Sequence, residues 1–163
     1  MVRRVFFSFH YERDHWRTNP VRNSWVTHDN REVAGFIDAA EWEEIKRGGE
    51  DAIERWIDKQ IHNTSVTVVL IGSETYNRDW VNREIEKSYN RGNGLLGIYV
   101  HNIKDKNGRT ARKGKNPLNK WHITENGRKK YLSDIFETYH WKRDDGYNNL
   151  GDWVEKAAQI AGL

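Results

Sequence analysis

The chain has 163 residues, 36% hydrophobic and 12% aromatic, with eight Trp, seven Tyr, no Cys and a net charge of +3. That length suits one domain over 1–163 that buries roughly two-thirds of its unfolded surface, and the missing cysteine excludes disulfides and thiolate metal sites. No stretch approaches the roughly 18 apolar residues of a membrane span, and Met1–Phe9 lacks a signal peptide's apolar core and cleavage site, so a soluble, cytoplasmic protein without membrane contact is expected.

Arg4–Phe9 is aromatic and β-branched and reads as a buried first strand. Glu12–Asn23 is polar, and Pro20 should break any continuous helix there. Glu32–Asp38 reads as a second strand ending in an acid. In Glu50–Ile61, the residues Ile53, Trp56, Ile57 and Ile61 recur at i, i+3, i+4 and i+8, one face of a helix. Ser65–Gly72 is an almost continuous β-branched run without alternation, as in a strand covered on both faces. Asp79 reads as the cap of a second helix, Trp80–Arg91, which Gly92 stops. Leu95–His101 reads as a fourth strand, Ile135–Trp141 as a fifth, and Leu150–Ala161 as a closing helix.

Between the last two strands lies a basic loop insertion at about 104–131. Lys104–Lys130 carries ten basic residues against Asp105 and Glu125, a net +8, while the rest of the chain has 17 basic and 22 acidic residues, a net −5. The segment is long for an ordinary connection. A flexible solvated insertion, an electrostatic contact to nucleic acid and contact with a partner or trigger are all open readings.

Strands alternating with helices imply an α/β fold, a doubly wound parallel sheet of about five strands with helices on both faces. Ligands of such sheets bind beyond the carboxyl ends of the strands, where strand order reverses. That rule points to Ser8–Tyr11, to Asp38–Glu41 and to Gly72–Tyr76. Neither G-x-G-x-x-G nor a Walker motif is present, so a dinucleotide would not be held in the Rossmann manner. The seven His show no H-x-x-x-H or H-E-x-x-H spacing, and no metal is expected.

The opening RVFFSFHYERD, the later VRNSW, and VLIGSETYNRDWVNREIE together resemble the TIR-like family typified by the ThsB proteins of the bacterial Thoeris anti-phage system. The resemblance extends to the closing NNLGDWVEKAA helix, and its most specific parts are the FFSFHY start and Gly72-Ser73 leading to Trp80-x-x-x-Glu84. It implies a flavodoxin-like TIR-like fold and an enzyme that takes NAD as substrate, with no other cofactor. The implied reaction cleaves the nicotinamide–ribosyl bond and yields a cyclic ADP-ribose isomer. That diffusible nucleotide would signal to a separate NAD-depleting effector, after a phage-derived trigger, and the protein itself is a candidate homo-oligomer. Two other readings stand beside it: a non-catalytic TIR-like interaction module, and a nucleic-acid-binding α/β domain that uses the basic loop.

The chemistry asks for one carboxylate. Nicotinamide leaves neutral from a cationic pyridinium, so no general acid is needed, and positive charge develops on the ribose as in glycosidases. Glu84 is the candidate catalytic residue. Trp80, four residues earlier, shares its helix face, and Val81, Ile85 and Ser88 form a buried stripe with Glu84 expected at its edge, facing a cleft. The alternative is a solvated Glu84 paired with Lys87 or Arg91, and Glu86 should face solvent. Ser8, Phe9, His10, Tyr11, Asp38, Ser73 and Trp80 are the substrate-binding candidates, with His10 read as a binding group rather than a base. Arg17 or Arg22 would contact a pyrophosphate or pair with Asp14. Phe9, Tyr11, Trp42, Tyr76 and Trp80 are the rings expected to gather at the strand ends and exclude water.

Overall fold

A computed structural model describes residues 3–28, 31–34 and 39–163. Asp38 and the end of the expected second strand lie outside the described residues. Five strands form the main sheet: β1 (Arg3–Ser8), β2 (Arg31–Ala34), β3 (Val66–Ile71), β4 (Gly94–Tyr99) and, last in the chain, β7 (Thr138–His140). All are parallel, in the order β2-β1-β3-β4-β7. That is the flavodoxin-like doubly wound arrangement, as the alternation of strands and helices predicts.

The apolar pattern decides which helix covers which face. Alternate residues of a strand point to opposite sides. Val5 and Phe7 of β1, with Val66, Val68 and Leu70 of β3, pack against Val21 and Trp25 of α1 (His15–Val26) and Val154 of α6 (Gly146–Ile160). Phe6 turns the other way, onto Ile57 and Ile61 of α3 (Gly49–Ile61). Val69, Ile71 and Leu95 meet Val81 and Ile85 of α4 (Asp79–Asn90) on that second face. All six residues of β3 are buried, which accounts for its unbroken β-branched sequence.

Two local expectations are corrected. Pro20 does not break the polar segment but lies inside α1. Proline within a helix costs about 3 kcal/mol, and tertiary anchoring overrides it here: Val21 and Trp25 are buried and Trp25 Nε1 donates to the Glu32 carbonyl at 2.8 Å. Asp79 is the first residue of α4 rather than its cap, since Arg78 holds the cap position without a side-chain bond. Its charge still suits the positive end of the helix. The stretch after the second strand, to which the sequence pattern assigned no element, contains α2 (Ala39–Arg47).

The C-terminus of α4 ends as its sequence suggests. Gly92 takes φ +90°, its N–H reaches the Tyr89 carbonyl, and Asn93 N–H reaches Ser88. These are the two bonds of a Schellman motif.

The basic segment is partly built. Arg17 donates to the carbonyls of Ile103 and Arg109 at 2.8 and 2.9 Å, and Asn116 Nδ2 reaches Thr138 Oγ1 at 2.8 Å. Leu118 is fully buried in the α4-side core. Beyond it, β5 (His122–Glu125) and β6 (Arg128–Tyr131) form an antiparallel hairpin. Its two-residue turn, Asn126–Gly127, has φ of 54° and 77°, the positive values that favour Asn-Gly in hairpins. A single turn, α5 (Leu132–Ile135), leads into β7.

Candidate active site

Strand order reverses between β1 and β3, so the crevice expected of this fold opens at their carboxyl ends. β1 ends at Ser8 and delivers Phe9, His10 and Tyr11; β3 ends at Ile71 and delivers Gly72 and Ser73. α4 follows and carries Trp80 and Glu84.

Glu84 is 0% exposed. It does not sit at the edge of the buried stripe but inside it. Ser8 Oγ donates to Oε1 at 2.8 Å and the Tyr11 hydroxyl donates to Oε2 at 3.0 Å. Lys87 pairs with Glu54 and Asp58 instead, and Arg91 reaches Asn93, so the solvated alternative is excluded. Glu86 is exposed. The physical reason is the spacing itself: Val81, Glu84, Ile85 and Ser88 fall at i, i+3, i+4 and i+7, all on one face.

Burial raises the Glu84 carboxyl to about 8, although the bonds from Ser8 and Tyr11 oppose the rise. The Tyr11 hydroxyl is pushed well above its ordinary 10, first by burial and then by Glu84. Each group therefore holds its proton more tightly than in water, in a dry site where every charge is felt strongly.

The rings close around it. Phe9 lies 4.5 Å from Tyr11, Tyr11 4.6 Å from Trp42, and Trp42 5.2 Å from Trp80, centroid to centroid. Trp56, which sequence reasoning read only as a helix face, completes the group 5.8 Å from Trp42. Among the described residues, the indole N–H groups of Trp42 and Trp80 are buried without a hydrogen-bond partner, an arrangement that buried polar atoms rarely keep without reason. His10 stands edge-on to Trp80 at 6.1 Å and accepts from the Arg13 N–H at 3.1 Å. Burial, aided by Arg78, lowers it to about 4, so it is neutral at physiological pH. The Arg78 guanidinium lies 4.5 Å over the Trp80 ring.

Ser73 is half-buried and accepts from Arg13 Nε at 2.9 Å. Tyr76 does not join the ring cluster; it lies under two lysines of the basic segment. Arg17 pairs with Asp14 at 3.3 Å and anchors the basic segment, so it serves the fold. Asp14 packs its carboxylate against the bare Cα of Gly72, where a Cβ would lie 2.1 Å from Oδ2. The β3–α4 connection needs its glycine for that approach.

The pattern described as Thoeris protein ThsB, TIR-like domain, matches residues 6–105. A protein of Bacillus cereus (strain MSX-D12), provisionally named cyclic ADP-D-ribose synthase ThsB1, is 39% identical over 94% of this chain and the whole of its own length. The chain belongs to the ThsB family of TIR-like domains. The ThsB match spans Ser8–Tyr11, Ser73, Trp80 and Glu84, and it stops where the basic segment begins.

The Tyr11–Glu84 bond and the place of Arg78 were not readable from the ThsB-like motifs. A partner 73 residues away leaves no local signal, whereas the buried spacing of Glu84 was present in the stripe.

Proposed function

We propose that this chain is an NAD-processing enzyme that releases nicotinamide and closes the remaining ADP-ribose into a cyclic isomer, with Glu84 as the catalytic carboxylate. The observation that carries the reading is Glu84 itself: a carboxyl group buried at the strand-order switch point, bonded by two hydroxyls and walled by Tyr11, Trp42 and Trp80. The B. cereus relative's name, a cyclic ADP-ribose synthase, supports the same chemistry.

The C1′–N bond breaks and nicotinamide leaves with its electron pair. The ribose becomes an oxocarbenium-like cation, which an ionised Glu84 stabilises. A nucleophilic atom of the same ADP-ribose then bonds to C1′ and loses its proton to solvent. Internal attack outcompetes water because well-oriented groups reach effective molarities of about 10⁵–10⁸ M, and the ring wall excludes water. Ser8, Phe9, His10, Tyr11, Ser73 and Trp80 form the substrate-facing shell of this reading, with Asp38 as a further member.

A carboxyl raised to about 8 is neutral at pH 7, and a neutral group stabilises no cation. The closed geometry therefore suits an enzyme idle until a phage-derived trigger opens the site. Its diffusible product would act on a separate NAD-depleting effector in the cytoplasm, and self-association is part of the same proposal. The test is nicotinamide release from NAD by the purified protein, with and without extract of infected cells. Release that depends on Glu84 supports the reading; an inert protein in both conditions favours an interaction module.

A further inference from the structure

The basic segment lies against the same edge of the sheet as the candidate site. Gly114 packs so closely on the β3–α4 connection that a Cβ there would lie 2.2 Å from the Gly72 carbonyl oxygen and 3.0 Å from Ser73. The turn at Pro117–Asn119 contacts the turn at Thr75–Asn77. The strap is thus seated beside Ser73 rather than free.

Its lysines are held in a pattern. Lys120 Nζ lies 4.3 Å and Lys115 Nζ 5.5 Å from the ring centroid of Tyr76, and Lys113 Nζ lies 4.6 Å from that of Tyr99. Ring faces attract ammonium groups and fix them without neutralising them. All three lysines are exposed, and among the described residues none is paired with a carboxylate. Glu74, the nearest acid in the β3–α4 connection, is engaged by Arg13 at 3.5 Å. His101, 5.9 Å from Tyr99, is 7% exposed, and among the described residues its Nδ1 has no hydrogen-bond partner. A neutral imidazole protonated on that nitrogen has a donor to spare. Three uncompensated cations and an unused donor, set over two Tyr rings at the carboxyl edge, fit a compact multivalent anion.

We propose that Lys113, Lys115 and Lys120, with His101, form a diphosphate site for the pyrophosphate of the dinucleotide substrate. The assignment rests on the NAD reading above and names the strap as the part of the chain that grips the phosphates.

Calorimetric titration of the full-length protein with ADP-ribose, and separately with adenosine, tests it without turnover. Replacing the three lysines with Ala should weaken ADP-ribose binding by about tenfold or more, the scale of lost charge-assisted bonds, and leave adenosine binding unchanged. Replacing them with Arg should retain the binding. A control that removes Arg128, Lys129 and Lys130 from the hairpin subtracts the same charge elsewhere and should bind ADP-ribose normally. Wild-type affinity in the triple Ala variant, no ADP-ribose binding by the wild type, or equal weakening in the hairpin control would overturn the site. The two proposals fail separately. An inert protein that still binds ADP-ribose through these lysines loses the enzymatic reading and keeps the site. An active triple Ala variant with unchanged KM does the reverse.

Discussion

The Tyr11 hydroxyl donates to Oε2 of Glu84 at 3.0 Å, in a place with no access to solvent. With Ser8 on Oε1, both carboxyl oxygens are taken by hydroxyl groups, the bonding pattern that two ribose hydroxyls would offer. In the proposed reaction Tyr11 helps hold the carboxyl group that faces the ribose. Tyr11→Phe keeps the ring wall and removes one bond, a loss of about 1 kcal/mol. The lost bond is one that lowers the Glu84 carboxyl, so Glu84 should be more fully neutral and nicotinamide release under triggering conditions should fall. Undiminished release by a folded variant would show that the hydroxyl plays no part in ionising Glu84.

Glu84→Gln should change the pH dependence of stability. The carboxyl rises from its ordinary 4.5 to about 8 on folding, so the native state holds this proton more tightly than the unfolded chain. Its contribution is fully present below pH 4.5 and is lost as pH rises through 8. Glutamine keeps the shape and does not titrate. Thermal melts should show wild type and variant closest near pH 4.5. The variant should gain on the order of 4 kcal/mol relative to wild type by pH 8. Parallel curves across that range would contradict the burial of an ionisable Glu84.

Thr67 and Ser88 share a buried bond of 2.6 Å between β3 and α4, on the face that carries Glu84. Thr67→Val should cost about 1–3 kcal/mol, because the Ser88 hydroxyl is left buried and unpaired. Adding Ser88→Ala should cost less than the two single changes together. Strict additivity in denaturant melts would show that the pair is not coupled.

Arg17→Met should release the strap. The guanidinium is buried, pairs with Asp14 and holds the Ile103 and Arg109 carbonyls. Removing one partner of a buried ion pair costs about 3–5 kcal/mol. Hydrogen exchange should quicken at 103–116 before it does in β3. Unchanged protection of the strap would show that Leu118 and Asn116 hold it alone.

The sheet was legible because its strands carry plain apolar runs: Val66–Ile71 has no polar side chain except Thr67, and Arg3–Ser8 holds Val5, Phe6 and Phe7 in succession. The α1 helix was not, because Pro20 argued against it locally while Arg17 and Trp25 fixed it through distant carbonyls. The hairpin had a readable sign, Asn126–Gly127 between two short runs, but its charged strands lack the alternation that marks a buried face. At the site, the i, i+3, i+4, i+7 spacing already placed Glu84 among Val81, Ile85 and Ser88. The identity of its partners depended on two elements meeting across the strand-order reversal, which no local pattern encodes.

The most direct measurement is chromatography with mass detection on NAD incubated with the purified protein and extract of phage-infected cells, run beside Glu84→Gln. The account predicts nicotinamide and an ADP-ribose species one water lighter than the linear form, in equal amounts, from wild type alone. The same cyclic product from Glu84→Gln, or only linear ADP-ribose from the earliest time points, would contradict it.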